Sequence, residues 1–164
     1  MAVRLNKGTE LLVSGASGAD YAWSVEGISN AAGRVSAQID LGTLPRADEY
    51  EWSCEVQFQA TPTQGAGLEL YKGGAPDSDS TQIDGDVGAS DAALGDVDMR
   101  RNLQGFGFVV SENAAASEPC VASGVFRHTQ RYLSLVAYNA SGATVNATDT
   151  NFVFLLRPIY HEDV

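Results

Sequence analysis

Lysine, cysteine and histidine are each held to two residues in a chain of 164, and proline to five. The shortage of lysine belongs to a wider shortage of positive charge: 10 basic residues stand against 21 acidic ones, for a formal net charge of -11. Such a molecule repels phosphate backbones and anionic headgroups at long range, which argues against nucleic acid or a membrane surface as partner. Apart from Lys7 and Lys72 the basic residues are arginines, whose planar fork suits fixed bidentate contacts to carboxylates. Cys54 and Cys120 have no Cys-x-x-Cys spacing or Cys/His cluster around them. Neither a zinc site nor a disulfide framework is expected, and both thiols read as reduced and buried. His128 and His161 fall in no metal-binding or catalytic spacing and read as surface or interface residues. Long apolar runs are missing too. No stretch approaches the ~18 residues of a membrane span, and Met1–Lys7 lacks the apolar run of a signal peptide, so synthesis and folding in a cytoplasm are expected.

Catalytic motifs are equally scarce. Gly15-Ala-Ser-Gly-Ala19 fails as a nucleophile elbow because it ends in alanine and opens no helix. Gly65-Ala-Gly67 and Gly105-Phe-Gly107 lack the later glycine and the helix start that would hold a phosphate. Asp77-Ser-Asp79 resembles the opening of a calcium loop, yet Thr81 and Gln82 stand where that loop needs Asp or Asn and then Gly. The sequence therefore predicts no enzyme, no cofactor and no metal.

What is present is alternation. From Glu49 to Gln59, Tyr50, Trp52, Cys54, Val56 and Phe58 alternate with Glu51, Ser53, Glu55 and Gln57. Period two marks a half-buried strand with its apolar side chains on one face. That phase places Trp52 and Cys54 in a core, and Trp23 sits in a comparable segment, which favours core roles over a sugar-stacking platform. Eight further short segments follow suit: residues 10–14, 21–26, 34–41, 67–72, 103–110, 120–127, 131–139 and 151–159. The stretches between them are rich in Gly, Ser, Asn and Asp, and no amphipathic helix interrupts them. Many short strands without helices predict an all-β, antiparallel β-sandwich, and the strand number favours an eight-stranded jelly roll.

Two segments depart from the pattern. Phe152-Val-Phe-Leu-Leu156 is apolar at every position, so both of its faces need cover, from this chain or from another subunit. Between Lys72 and Arg100 there is no basic residue, while Asp77, Asp79, Asp84, Asp86, Asp91, Asp96 and Asp98 all fall there. With so little apolar content, residues 73–99 read as a long solvent-facing acidic loop unable to form a strand pair. The expected organisation is an N-terminal arm at 1–9 followed by one sandwich domain at 10–164.

Asn30–Gly42, Gly67–Lys72, Asp84–Gly88 leading to Arg100–Leu103, and Arg131-Tyr-Leu-Ser-Leu-Val-Ala-Tyr138 together resemble the jelly-roll decoration, or cement, proteins of tailed bacteriophages. The Arg-Tyr and apolar strand near the C-terminus, followed by a turn and a last strand, is the most recognisable part. The resemblance spans most of the chain and implies a virion structural protein on the outer capsid surface. It also implies a homotrimer that bridges and clamps subunits of the major capsid protein. Interface candidates are Arg4 and Lys7 in the arm, Arg127, Arg131, Tyr132 and Arg157 near the C-terminal strands, and Phe152 and Phe154 in the apolar strand. The alternative is a glycan-binding β-sandwich module of a head fibre or tail.

Overall fold

The computed structural model describes residues 3–43, 46–78, 82–111, 116–148 and 150–163. Among these, twelve strands follow one another: β1 (Val3–Lys7), β2 (Leu11–Ser14), β3 (Tyr21–Ala22), β4 (Gly33–Val35), β5 (Ile39–Asp40), β6 (Glu49–Val56), β7 (Gly67–Ala75), β8 (Ala92–Ala93), β9 (Gln104–Val110), β10 (Cys120–Arg127), β11 (Tyr132–Asn139) and β12 (Phe152–Asp163). One sheet runs β10-β6-β12-β2-β3 and the other β8-β4-β11-β7-β9, with β1 added to β12 and β5 added to β11. With the short additions β1, β3, β5 and β8 set aside, eight strands remain, in the orders β10-β6-β12-β2 and β9-β7-β11-β4. All of these neighbours are antiparallel. This is the eight-stranded jelly roll, and the chain is an antiparallel β-sandwich as its alternation predicts.

The inner faces carry the core. In β6, Tyr50, Trp52, Cys54 and Val56 are buried and the residues between them are half-exposed, which is the period-two pattern in full. Phe152, Phe154 and Leu156 of β12 lie beside them in the same sheet, and Leu133, Leu135 and Ala137 of β11 face them from the other, all fully buried. Trp23 meets Phe152 and Phe154 edge-on at ring-centroid distances of 5.2 and 5.3 Å. Phe106 on β9 and Phe126 on β10 touch at 4.8 Å, so the two free sheet edges are closed by aromatic contact. No disulfide joins Cys54 and Cys120; the β6–β10 register sets Cys54 opposite Ala122 and Cys120 opposite Val56.

The acidic segment corrects the sequence reading. It faces solvent on one side only: Ile83, Val87 and Leu94 are buried against Val35, Ala75 and Val136 on the outer face of the second sheet, with Met99 and Leu103 packed beside them. Ala92–Ala93 even form a strand pair with β4, which the composition seemed to forbid. Asp77, Asp84, Asp86, Asp96 and Asp98 are exposed while a few widely spaced apolar side chains bind the sheet, and Arg100 stacks on the Tyr138 ring at 3.6 Å. Asp91 fastens the segment by accepting from Arg34 Nε and Ser24 Oγ, each at 2.6 Å. Asp79, in the calcium-like tripeptide, lies outside the described residues.

The expected N-terminal arm is, over residues 3–7, an edge strand paired with Ile159–Asp163. It continues into β2 along the same side of β12. Between the pairs Lys7–Ile159 and Leu11–Leu156, three residues oppose two, a bulge placed where Pro158 has no N–H to donate. His128 also departs from expectation. It is buried, not on the surface, with Nε2 2.9 Å from the Tyr132 carbonyl oxygen.

Candidate docking face

The two sheets differ on their outer sides. The second is roofed by the acidic segment, while residues of the first look outward with no comparable cover among the described residues. Cross-strand partners share a face, so the register defines what this outer surface carries. Across β10, β6 and β12 one row reads Val121, Glu55, Val153; the next reads Ser123, Ser53, Leu155 and continues to Leu12 on β2. A third reads Val125, Glu51, Arg157, and a fourth Arg127, Glu49, Ile159 with Lys7 on β1. Val121 and Val125 are 64% and 57% exposed, and Leu12, Val153 and Leu155 are half-buried.

The charged rows are linked within the chain. Glu49 accepts from Arg127 at 2.9 Å and meets His161 Nε2 at 2.8 Å. Glu51 holds the Lys7 ammonium at 2.7 Å with Arg157 3.9 Å away, and Arg157 also reaches Glu10 at 2.5 Å. The hydrogen bond from His161, and then that from Arg127, hold the Glu49 carboxyl below its ordinary range; Lys7 does the same for Glu51. Exposed pairs of this kind contribute little to stability. Their consequence here is geometric: they fix three cations, the His161 imidazole and three carboxylates among the exposed apolar side chains.

The structure divides the interface candidates into groups. Lys7, Arg127 and Arg157 come together on this outer face. Phe152 and Phe154 do not: they are fully buried and point into the sandwich, so their role is core packing, and Val153 and Leu155 are the outward residues of the same strand. The inner side of β12 is covered within the monomer by the opposing sheet, whose Leu133, Leu135 and Ala137 share its apolar cluster. Arg131 and Tyr132 belong to the other sheet, where Arg131 forms a bidentate pair with Asp40 at 2.9 and 2.8 Å and lies over the Tyr132 ring. Tyr132 packs half-buried against the second apolar cluster. The Arg4 side chain lies outside the described residues. Sequence reasoning missed Val121, Val125, Val153 and Leu155; the signal for the first two was the phase of 120–127, in which the valines alternate with Ala122, Gly124 and Phe126.

No protein-family model matches this chain, and no curated protein matches it at a significant level. Among solved structures, murine APRIL at pH 5.0 is similar at 12% identity and a TM-score of 0.45, covering 75% of this chain and 73% of that one. Murine APRIL at pH 8.5 gives 10% and 0.43, covering 75% and 71%. The EclA C-terminal domain, described as a sugar-binding protein, is similar at 13% identity and a TM-score of 0.34, covering 99% of this chain and 79% of that one. Likeness at this level is of outline only.

Proposed function

We propose that this chain is a structural protein that decorates the outer surface of a tailed-phage capsid and clamps neighbouring major capsid subunits, acting as a homotrimer. The observation that carries the reading is the asymmetry of the two outer faces: one is roofed by the chain's own acidic segment, and the other is open, with Val121 and Val125 on β10 and Val153, Leu155 and Leu12 on β12 and β2 set on either side of the polar outer row of β6. Exposed apolar side chains set among charges mark surfaces that a protein partner covers. The acidic segment would face outward, where negative charge keeps particles apart. The sequence resemblance to decoration proteins supplies the partner and the trimer. The glycan-binding alternative has less to build on, because of the four rings from which a stacking platform would be made, Trp23, Tyr50 and Trp52 are in the core and Tyr71 packs half-buried against the second apolar cluster.

Light scattering on the purified protein, alone and then mixed with expanded, undecorated capsids of the phage that encodes it, tests the reading. A trimer that co-sediments with capsids in saturable amounts is expected. A protein that never saturates capsids would overturn it, and capture on a glycan array would then favour the alternative.

A further inference from the structure

The inner faces of the sandwich are apolar except at one end, where β7 sends in a charge. Lys72 is in phase with the buried Leu68 and Leu70, so its ammonium group lies between the sheets, 5.5 Å from the centroid of the Phe126 ring. The residue is only 7% exposed. Among the described residues it makes no hydrogen bond and no ion pair. Burial lowers its pKa, against the opposing pull of Asp84. The Phe126 ring and the Asp84 carboxylate on the same cavity wall offset part of the cost of desolvating this ammonium, and no side chain hydrogen-bonds it directly.

A cavity of ≈ 330 Å³ opens onto that group, with Gln104, His128 and Gln130 among its walls. Gly74 lets Gln130 and His128 pack against the strand at the cavity wall: a Cβ there would lie 2.0 Å from Gln130 Oε1 and 2.7 Å from His128 Cε1. Gln130 Oε1 is buried and has no donor. The other charges around the cavity are accounted for. Asp84 accepts from the Gly74 N–H at 3.1 Å, and Arg127 is engaged with Glu49. His128, pushed down to about 4 by burial, is neutral near physiological pH.

We infer that this cavity binds a small hydroxylated carboxylic acid of the sugar-acid class, its carboxylate on Lys72 Nζ and a hydroxyl on the Gln130 amide. One ammonium that shares its cavity with Asp84 accommodates at most a single negative charge; a dianionic phosphate would meet stronger repulsion from Asp84 and from the chain's net charge of -11. A hydroxyl both donates and accepts, so it satisfies the amide in either orientation. The Phe126 ring offers an apolar surface beside the ammonium. A free acid and the terminal residue of an acidic glycan share this chemistry. The inference concerns the inner end of the sandwich and is independent of the docking face.

The test is an NMR titration of backbone amides near neutral pH with D-glucuronate, with D-glucose as the neutral control. Saturable shifts at Gly73, Gly74, His128 and Gln130 are expected with glucuronate, and binding weaker by about tenfold or more in Lys72→Met and for glucose. Lys72→Met exchanges a buried charge for an apolar chain of similar volume, so it stays folded, which a thermal melt verifies. An oligosaccharide ending in glucuronate separates the sources: tighter binding than the monomer assigns the site to a glycan, equal or weaker binding to the free acid. No saturable shift with glucuronate, or a Lys72→Met variant that titrates like the wild type, overturns the proposal.

Discussion

The Trp52 indole fills the space that a side chain at Gly107 would take: a Cβ there would lie 2.6 Å from Cζ2 and Cη2 of the ring. On the neighbouring strand Gly124 stands directly opposite Trp52, and a Cβ at that position would lie 2.9 Å from Nε1. The ring is thus wedged between β9 and β10, stacked on Phe154 and edge-on to Phe106. Gly107→Ala forces the indole from its slot and is expected to cost about 1–3 kcal/mol, the usual penalty of overpacking. Urea unfolding measures it. An unchanged midpoint would show that the ring has room to move.

The strands that build the core were legible because their apolar residues alternate and burial obeys the same period. Phe152–Leu156 was legible as apolar on both sides, and the structure divides it: Phe152, Phe154 and Leu156 are buried against the opposing sheet, while Val153 and Leu155 are half-buried on the outer face. The cover over the second sheet was not read. Ile83, Val87 and Leu94 are too widely spaced to show any periodicity, and their neighbours are aspartates, alanines and glycines. The complementary signal lay in Tyr132–Asn139, where Leu133, Leu135 and Ala137 face inward while Tyr132, Val136 and Tyr138 are on the outward side. A strand apolar on both sides requires two layers of cover. His128 offered no local sign of burial, since its place is fixed by the Tyr132 carbonyl and by the room that Gly74 leaves.

Asp91 is the fastening of that cover. Burial works against its ionised form, but hydrogen bonds from Arg34, then from the hydroxyl and the backbone N–H of Ser24, hold its pKa below the ordinary value. Asp91→Ala leaves the half-buried Arg34 guanidinium without its carboxylate and frees β8 from β4. A loss of about 2 kcal/mol is expected. Limited proteolysis provides the sharper check: cleavage within 73–99 should accelerate while the remainder of the sandwich stays resistant. Uniform cleavage along the chain would mean that the segment and the sandwich unfold together.

The docking face carries an acid dependence whose sign is set by Glu49 and Glu51. Both carboxyls sit below their ordinary 4.5 in the folded protein, held there chiefly by His161 and Lys7. Their contribution to stability is therefore complete above the unfolded value and is lost as the pH falls through the folded one. Protonation also leaves Lys7, Arg127, Arg157 and His161 unneutralised on one surface. The double variant Glu49→Gln, Glu51→Gln should show a shallower fall in stability between roughly pH 5 and pH 3 than the wild type. Identical acid limbs in denaturant unfolding would refute the linkage.

Val125 separates docking from folding. It projects from the centre of β10 onto the open face, 57% exposed, beside Glu51 in the register and away from the core. Val125→Asp buries no charge in the monomer, so its unfolding free energy should stay within about 0.5 kcal/mol of the wild type. At an apolar interface the same aspartate would be desolvated without a partner, so capsid binding should fall by tenfold or more. Val136→Asp is the opposite control, because that residue is fully buried beneath the acidic segment and its replacement should unfold the second sheet. Co-sedimentation with undecorated capsids, set beside the unfolding curves of both variants, distinguishes the roles. If Val125→Asp binds capsids with unchanged affinity, the open face of the first sheet is not the docking surface.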